Sequence, residues 1–376
     1  QTCALPIYSF QDMKKSIYTL AVTLLMWGAA LASDGGEVRS LIFMIGDGMG
    51  LAQVSMLQLE RGDSLTAFDR AQGVALIRTR SANSRVTDSA AAGTALSSAT
   101  KTGNGHIGVD MEDHSLHSMM ERAHEQGMPT GIAVTCYLQH ATPAAFYAHV
   151  SDRNDTEAIT RDLLASGIDV LFGGGRKWLA EECSEGGSGL DALRRHGYRV
   201  ADNLEELDTV TRGRVACVAA EKHLARAPKR GDFLLGATRK ALEVLGNEAA
   251  ARDKGFLLMV EGSQIDKACH GNDIDYLKAE MRDFDRAVAA AMDYADRTPG
   301  VLVVVVADHE TGGFSIPSEE KDFTKAHSDI RYNFSTGNHS ASMVPVYFYG
   351  AGADRINGVM ENSELSHRLM ELLGLD

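Results

Sequence analysis

Apolar positions recur along this chain in two rhythms. Short β-branched or apolar runs at Leu41–Ile45, Thr130–Thr135, Val170–Phe172, Phe256–Val260, Val301–Val306 and Val344–Tyr349 read as strands. Between them, helical spacing predicts helices within Ser115–Gln126, Thr156–Ser166, Phe233–Leu245, Tyr276–Ala295 and Glu364–Leu373. The run Val301–Val306 carries no polar alternation, the mark of a strand buried on both faces. Such alternation of strand and helix predicts an α/β fold, a three-layer sandwich around a mainly parallel β-sheet. The segment from about Gly174 to Arg230 is rich in Gly, Arg and Glu and weakly periodic, and it reads as an elaboration of that fold rather than a second domain. In open α/β sheets, ligands sit beyond the carboxyl ends of the strands, so chemistry is to be sought there.

Composition changes the picture in two ways. A chain of 376 residues, 44% of them hydrophobic, buries enough surface to fold without disulfides or metals, so residues that could hold metals call for a chemical reading. The net charge of −14 argues against a nucleic-acid partner, which would need a basic patch. It fits an anionic substrate only if some carboxylates surround divalent cations.

The N-terminus reads as a targeting segment. Lys14 and Lys15 follow Met13, an apolar stretch runs from Ser16 to Gly28, and Ala30-Leu31-Ala32 has the small-x-small form of a cleavage site. The expected organisation is an artefactual extension over 1–12, a signal peptide over 13–32, and one catalytic domain over 33–376. The apolar stretch falls short of the roughly 20 residues of a membrane span, so no membrane anchor is expected. Export to the periplasm or medium would permit disulfides among Cys136, Cys183, Cys217 and Cys269, with Cys183–Cys217 the preferred pair.

Candidate chemistry gathers at strand ends. Leu41–Ile45 runs into Gly46-Asp47-Gly48, where a turn aspartate could equally cap the next helix. Phe256–Val260 runs into Glu261, Asp266 and His270, the last two spaced to share a helix face. Carboxylates with imidazole suit zinc, and an oxygen-rich neighbour suits magnesium. Val301–Val306 runs straight into Asp308 and His309, and desolvating Asp308 without a partner would cost several kcal/mol. His339 precedes the last strand. Ser89, in Thr87-Asp88-Ser89-Ala90, stands before a run of small helix formers, where free N–H groups would suit a phosphoryl oxyanion; helix capping explains it as well.

Taken in order, these motifs resemble the alkaline phosphatase family, from Asp47 to His339 and into the C-terminal strand and helix. Asp88-Ser89-Ala90 resembles the family's nucleophile segment, and Gln139-His140-Ala141-Thr142-Pro143, with Ala148-His149 and Arg153, its second metal and phosphate segment. The resemblance implies hydrolysis of phosphate monoesters through a phosphoserine on Ser89, with an alkaline optimum. It implies two Zn2+ and one Mg2+: Asp266, His270 and His339 around the first zinc, Asp47, Asp308 and His309 with Ser89 around the second, and Asp47, Thr142 and Glu261 around magnesium. Arg153 would grip two phosphate oxygens, with Lys267 and His140 also near the substrate. An imidazole at His140 weakens the preference for magnesium and could admit zinc or another divalent ion. A homodimer is implied too, without a large insertion between His309 and His339.

Rival readings remain at this point. Sulfatases need a modified residue in a Cys/Ser-x-Pro-x-Arg context, whereas alanines follow Ser89. Diesterases usually carry threonine and lack the arginine clamp. A metal- or phosphate-binding protein would bind without turnover.

Overall fold

Hydrophobic runs that cannot face water form a sheet, and the helices cover it. The computed structural model describes residues 36–62, 64–321, 324 and 329–375. The expected signal segment, 13–32, and the extension before it lie outside the described residues. Residues Glu37–Asp376 make one compact unit.

The strands, in chain order, are β1 (Ser40–Gly46), β2 (Gly73–Arg78), β3 (Thr130–Tyr137), β4 (Val170–Gly174), β5 (Arg199–Ala201), β6 (Val215–Val218), β7 (Leu257–Gly262) and β8 (Val301–Val306). Four two-residue strands follow, β9 (Glu310–Thr311), β10 (Phe314–Ser315), β11 (Asn333–Phe334) and β12 (His339–Ser340), then β13 (Val344–Gly350) and β14 (Gly358–Glu361). Ten of them form one sheet in the order β14-β2-β13-β8-β1-β7-β3-β4-β6-β5. All its pairings are parallel except those of β13 with β2 and β8. Every residue of β1, β7 and β8 is buried, which is why these strands are apolar without alternation until their carboxyl ends.

The helices Phe233–Arg252 and Ile274–Arg297 pack on each other and on the central strands. In Ile274–Arg297 the buried side chains Leu277, Met281, Phe284, Val288 and Ala291 recur every three or four residues. The remaining layer is built by Ser89–Ser98, Met119–Glu125 and Asn362–Leu373. Val301–Val306 is a strand over the range expected, and most other expected elements agree within a few residues. The helix expected over Ser115–Gln126 starts only at Met119, because Ser118 and Glu121 close a capping box there.

The weakly periodic segment 174–230 contributes β5 and β6 to the edge of the same sheet. Its strands of three and four residues are too short to leave a period in the sequence. The expected Cys183–Cys217 bridge is absent: Cys136, Cys183, Cys217 and Cys269 are all free thiols. Cys217 is fully buried within β6, whereas Cys183 is half-buried in a turn closed by its N–H donating to the Gly187 carbonyl.

Candidate active site

Three central strands deliver their last residues to one place. β1 ends in Gly46 and runs into Asp47, β7 carries Glu261 near its end, and β8 runs into Asp308 and His309; the four functional side chains are completely buried. The turn after Asp47 needs glycine. Gly48 has φ +75°, and a Cβ there would meet Thr311 Oγ1 at 2.8 Å and Asp266 Cα at 2.9 Å. Its N–H donates to Asp308 Oδ1 at 3.1 Å, locking β1 to β8.

Ser89 is the first residue of Ser89–Ser98, a helix whose ten residues are all buried. Small side chains allow that burial: a Cβ on Gly93 would stand 3.0 Å from Ala145 Cβ. Asp88 caps the helix by accepting from the Ala91 N–H, and its other oxygen accepts from Arg153 Nη1 at 2.9 Å. Arg153 is thus held beside the nucleophile candidate. Ser89 Oγ lies 3.2 Å from His309 Nε2, which lies 3.7 Å from Asp47 Oδ1.

A second group forms where the helix Gln264–His270 meets β12. His270 Nε2 is 3.2 Å from Asp266 Oδ2 and 3.2 Å from His339 Nε2, and His339 Nε2 is 3.5 Å from Asp266 Oδ1. His270 Nδ1 donates to the Gly337 carbonyl and His339 Nδ1 to the Thr87 carbonyl. With both Nδ1 atoms so engaged, the two Nε2 atoms face one another beside the Asp266 carboxylate, an arrangement that suits a cation between them. The rings of His309 and His339 stack at 3.5 Å, so the two groups adjoin.

The electrostatics show what these groups lack. Burial, followed by the charges of Asp308, Asp266 and Glu261, pushes the Asp47 carboxyl well above its usual range. Burial drives Glu261 up to about 8. Burial also opposes ionisation of Asp266, but its hydrogen bond to His270 and the fields of His309, His270 and His339 outweigh it and hold Asp266 low. Both oxygens of Asp47, Asp308 Oδ2, Glu261 Oε1, Thr142 Oγ1 and His140 Nδ1 are buried without a hydrogen-bond partner. Buried acceptors are rarely left so, and this set of hard oxygens and imidazoles suits divalent cations. Among the described residues, donor atoms converge within 4.8 Å in three trios: Asp47–Asp308–His309, Asp266–His309–His339 and Cys136–His140–Glu261.

His140 precedes the short helix Ala141–Ala144, and burial, then the charge of Arg153, pushes its imidazole down to about 3. Lys267 is half-buried and is also pushed down, first by burial. The charges of Arg153, His223, Asp266 and Lys267 all act on His140.

Several residues escaped the sequence reading. Thr311 Oγ1 donates to Asp266 Oδ1 at 2.6 Å. Glu310 accepts from Gln53 Nε2, from the Gly313 and Phe314 N–H groups, and from Ser340 Oγ, tying β9 to the strand that carries His339. Glu310 and Thr311 stand inside the Asp308–Gly313 run, which was a usable signal; nothing in the sequence flagged Gln53. His223, in ring contact with Tyr137 and His140, left no signal either.

A serine at a helix N-terminus, an arginine beside it and clustered unpartnered carboxylates and imidazoles, all at the carboxyl edge of a parallel sheet, define a metal-dependent hydrolase of phosphate esters. Comparison with known proteins narrows the class. The alkaline phosphatase family profile matches residues 38–332, and the chain belongs to that family. It is 34% identical over 338 residues to alkaline phosphatase 4 of Bacillus subtilis, covering 82% of this chain and 72% of that one. A second Bacillus subtilis relative, alkaline phosphatase 3, is 35% identical, and the match spans 63% of its length. Streptomycin-6-phosphate phosphatase of Streptomyces griseus is 30% identical, with 91% of this chain and 92% of that one covered. Among solved structures, alkaline phosphatase from the Antarctic bacterium TAB5 superposes with a TM-score of 0.82 at 32% identity, covering 90% of this chain and 99% of that one. The chain is therefore an enzyme that hydrolyses phosphate monoesters, and the phosphoserine route and alkaline optimum are general to its family.

Proposed function

We propose that Ser89 is the nucleophile of this phosphatase and that three divalent cations serve it. The observation that carries the reading is Ser89 Oγ, at the head of a buried helix, 3.2 Å from His309 Nε2 and beside carboxylates without partners. Asp266, His270 and His339 would hold the first zinc. Asp47, Asp308 and His309 would hold the second, with Ser89. Asp47, Thr142 and Glu261 would surround the third ion, and the two free oxygens of Asp47 suit a carboxylate shared between sites.

When bound, such ions make a serine hydroxyl easier to ionise and neutralise the charge gathering on the phosphoryl group. Ser89 Oγ forms a bond to phosphorus as the bond to the alcohol oxygen breaks, and the alcohol leaves. Water then cleaves phospho-Ser89 and releases inorganic phosphate. Arg153, steered by Asp88, presents its remaining N–H groups to two phosphoryl oxygens. Lys267 adds positive charge on the phosphate side. Burial of Asp47, Asp308 and His309 keeps bulk water from competing at the nucleophile.

The third ion is the point where this chain invites a choice. A histidine-to-aspartate variant of the TAB5 enzyme has magnesium bound in its M3 site. Here an imidazole, His140, stands at the corner with Glu261, which favours zinc or another transition ion over magnesium. Export through residues 13–32 to the periplasm or medium, and a homodimeric state, complete the proposal. No helix among the described residues is long and apolar enough to cross a membrane.

The test is p-nitrophenyl phosphate hydrolysis at alkaline pH after chelation and after zinc and magnesium are restored, with Ser89→Ala in parallel. Metal-restored turnover that disappears in Ser89→Ala is expected. Robust turnover by Ser89→Ala would overturn the nucleophile assignment.

A further inference from the structure

Cys136 is the next-to-last residue of β3 and is completely buried. In the parallel ladder Val134 stands opposite Glu261, and Cys136 follows two residues on, in the irregular end of β3 between Ala133 and Tyr137. Its N–H is held by Ser263 Oγ at 3.1 Å, and its Sγ lies 3.3 Å from Glu261 Oε2. Four residues later His140 turns back to the same corner. The donor atoms of Cys136, His140 and Glu261 all lie within 4.8 Å of one another.

This corner is underpartnered. Glu261 is completely buried, yet Oε1 has no hydrogen-bond partner and Oε2 is met by the Cys136 thiol, with only the hydroxyls of Ser263 and Thr142 close by. His140 Nδ1 and Thr142 Oγ1 are buried and without partners as well. A weak S–H donor is poor compensation for a buried carboxylate, whose desolvation costs several kcal/mol. A small structural thiol would need neither the imidazole nor the carboxylate so close.

The donor types select the ion. Magnesium demands six oxygens in near-octahedral array and gains little from sulfur or imidazole. Thiolate, imidazole and carboxylate together are a zinc-type set. We propose that Cys136, His140 and Glu261 form a thiophilic cation site, so that the third ion of this phosphatase is held by sulfur and is zinc-like rather than magnesium. The proposal rests on the three-cation reading above but assigns a ligand that reading does not contain. Binding releases the Cys136 thiol proton to solvent, and the thiolate sulfur donates its pair to the cation.

The test uses the chelated full-length protein titrated with Co2+ and followed by absorption. Thiolate ligation gives a near-ultraviolet sulfur-to-cobalt charge-transfer band, whereas carboxylate and imidazole ligation give only visible ligand-field bands. The expected result is a charge-transfer band with one of three equivalents, lost in Cys136→Ser and kept in Cys269→Ser. Zinc affinity of that equivalent should fall at least about tenfold in Cys136→Ser. Ligand-field bands from the other two equivalents report that Cys136→Ser has folded. Zinc-edge X-ray absorption of the unmutated protein needs no variant and should show sulfur at about 2.3 Å around a third of the zinc. Three equivalents bound with no sulfur signal, or a charge-transfer band that survives in Cys136→Ser, would overturn the proposal. Ser89-dependent turnover is read separately, so either reading can fail while the other stands.

Discussion

Two regions of this molecule bury charge almost completely, and they do so in opposite ways. Beneath the helix Ile274–Arg297, Arg230 meets Glu280 and Asp283, with side-chain exposures of 2%, 1% and 1%. Arg230 Nη1 and Nη2 clasp Glu280 at 2.8 and 2.5 Å, Arg230 Nε and Nη2 clasp Asp283, and Arg286 and the Ala227 N–H take further lone pairs. Every carboxylate oxygen there has a donor. At the carboxyl edge of the sheet, Asp47, Glu261 and Asp308 are as deeply buried; both oxygens of Asp47 and Oε1 of Glu261 have none, and Asp308 Oδ2 has only His309 Nε2 at 3.1 Å. Buried charge therefore does not mark a functional site in this fold. A cluster of buried carboxylate oxygens left unpaired together does, because a shared cation can repay their desolvation.

That contrast can be broken or sharpened by experiment. The largest effect should come from Ser89→Ala, with kcat reduced at least about a thousandfold and no change in thermal unfolding of the metal-free protein. Next is Glu280→Ala, which removes one of the two buried carboxylates that pair with Arg230. It should cost about 3–5 kcal/mol in denaturant unfolding, with kcat per folded molecule and zinc content unaltered. If kcat collapses in parallel, the two clusters are not independent.

Chelation should affect only the other region. Each ion held at a free concentration of a hundred times its Kd contributes about 2.7 kcal/mol, so calorimetry should show a lower Tm after chelation, recovered by zinc. Asp47→Asn should reverse sign with metal. Metal-free, the folded chain keeps Asp47 protonated at a pH where the unfolded chain has released that proton, so stability falls as pH rises above the unfolded value. Asp47→Asn should thus raise Tm of the chelated protein at alkaline pH, by a margin that shrinks in acid, and lower Tm when zinc is present. A variant less stable in both states would show that Asp47 is satisfied without metal.

The smallest effect concerns His149. Its Nε2 meets Glu121 Oε1 at 2.8 Å, and that hydrogen bond is the main reason its imidazole is pushed up to about 9. The folded chain holds this proton more tightly than the unfolded one, so the pair's contribution is fully present below about pH 6.5 and is lost as pH rises through about 9. The Tm difference between wild type and His149→Gln should therefore be greatest in mild acid and vanish in strong base. A constant difference would assign His149 to packing alone.

How far the sequence could be read differs between the two regions as well. Asp308 and His309 were legible because a wholly apolar strand ends abruptly in charge. Asp266 and His270 were legible because four residues are one helical turn. Arg153 entered through the resemblance of its motif, whereas Ser89 stood out ahead of a run of small helix formers, where capping explained it as well. The Arg230 cluster was invisible, since its members are scattered over fifty residues of ordinary charged sequence. Glu310 was in view but idle until β9 and β12 paired, and Cys136 read as a disulfide candidate until the register of β3 on β7 set it beside Glu261.

The amino-acid sequence by itself determined the alternation of buried strands and amphipathic helices, and it placed reactive side chains at strand ends, because periodicity and burial are local properties of a chain. Only the tertiary structure decided which of those ends meet, which nitrogen of His270 and His339 faces inward, and which carboxylates go unpaired. Those facts depend on register and close packing between segments up to about 250 residues apart, such as His339 and Thr87, and local physics cannot encode them.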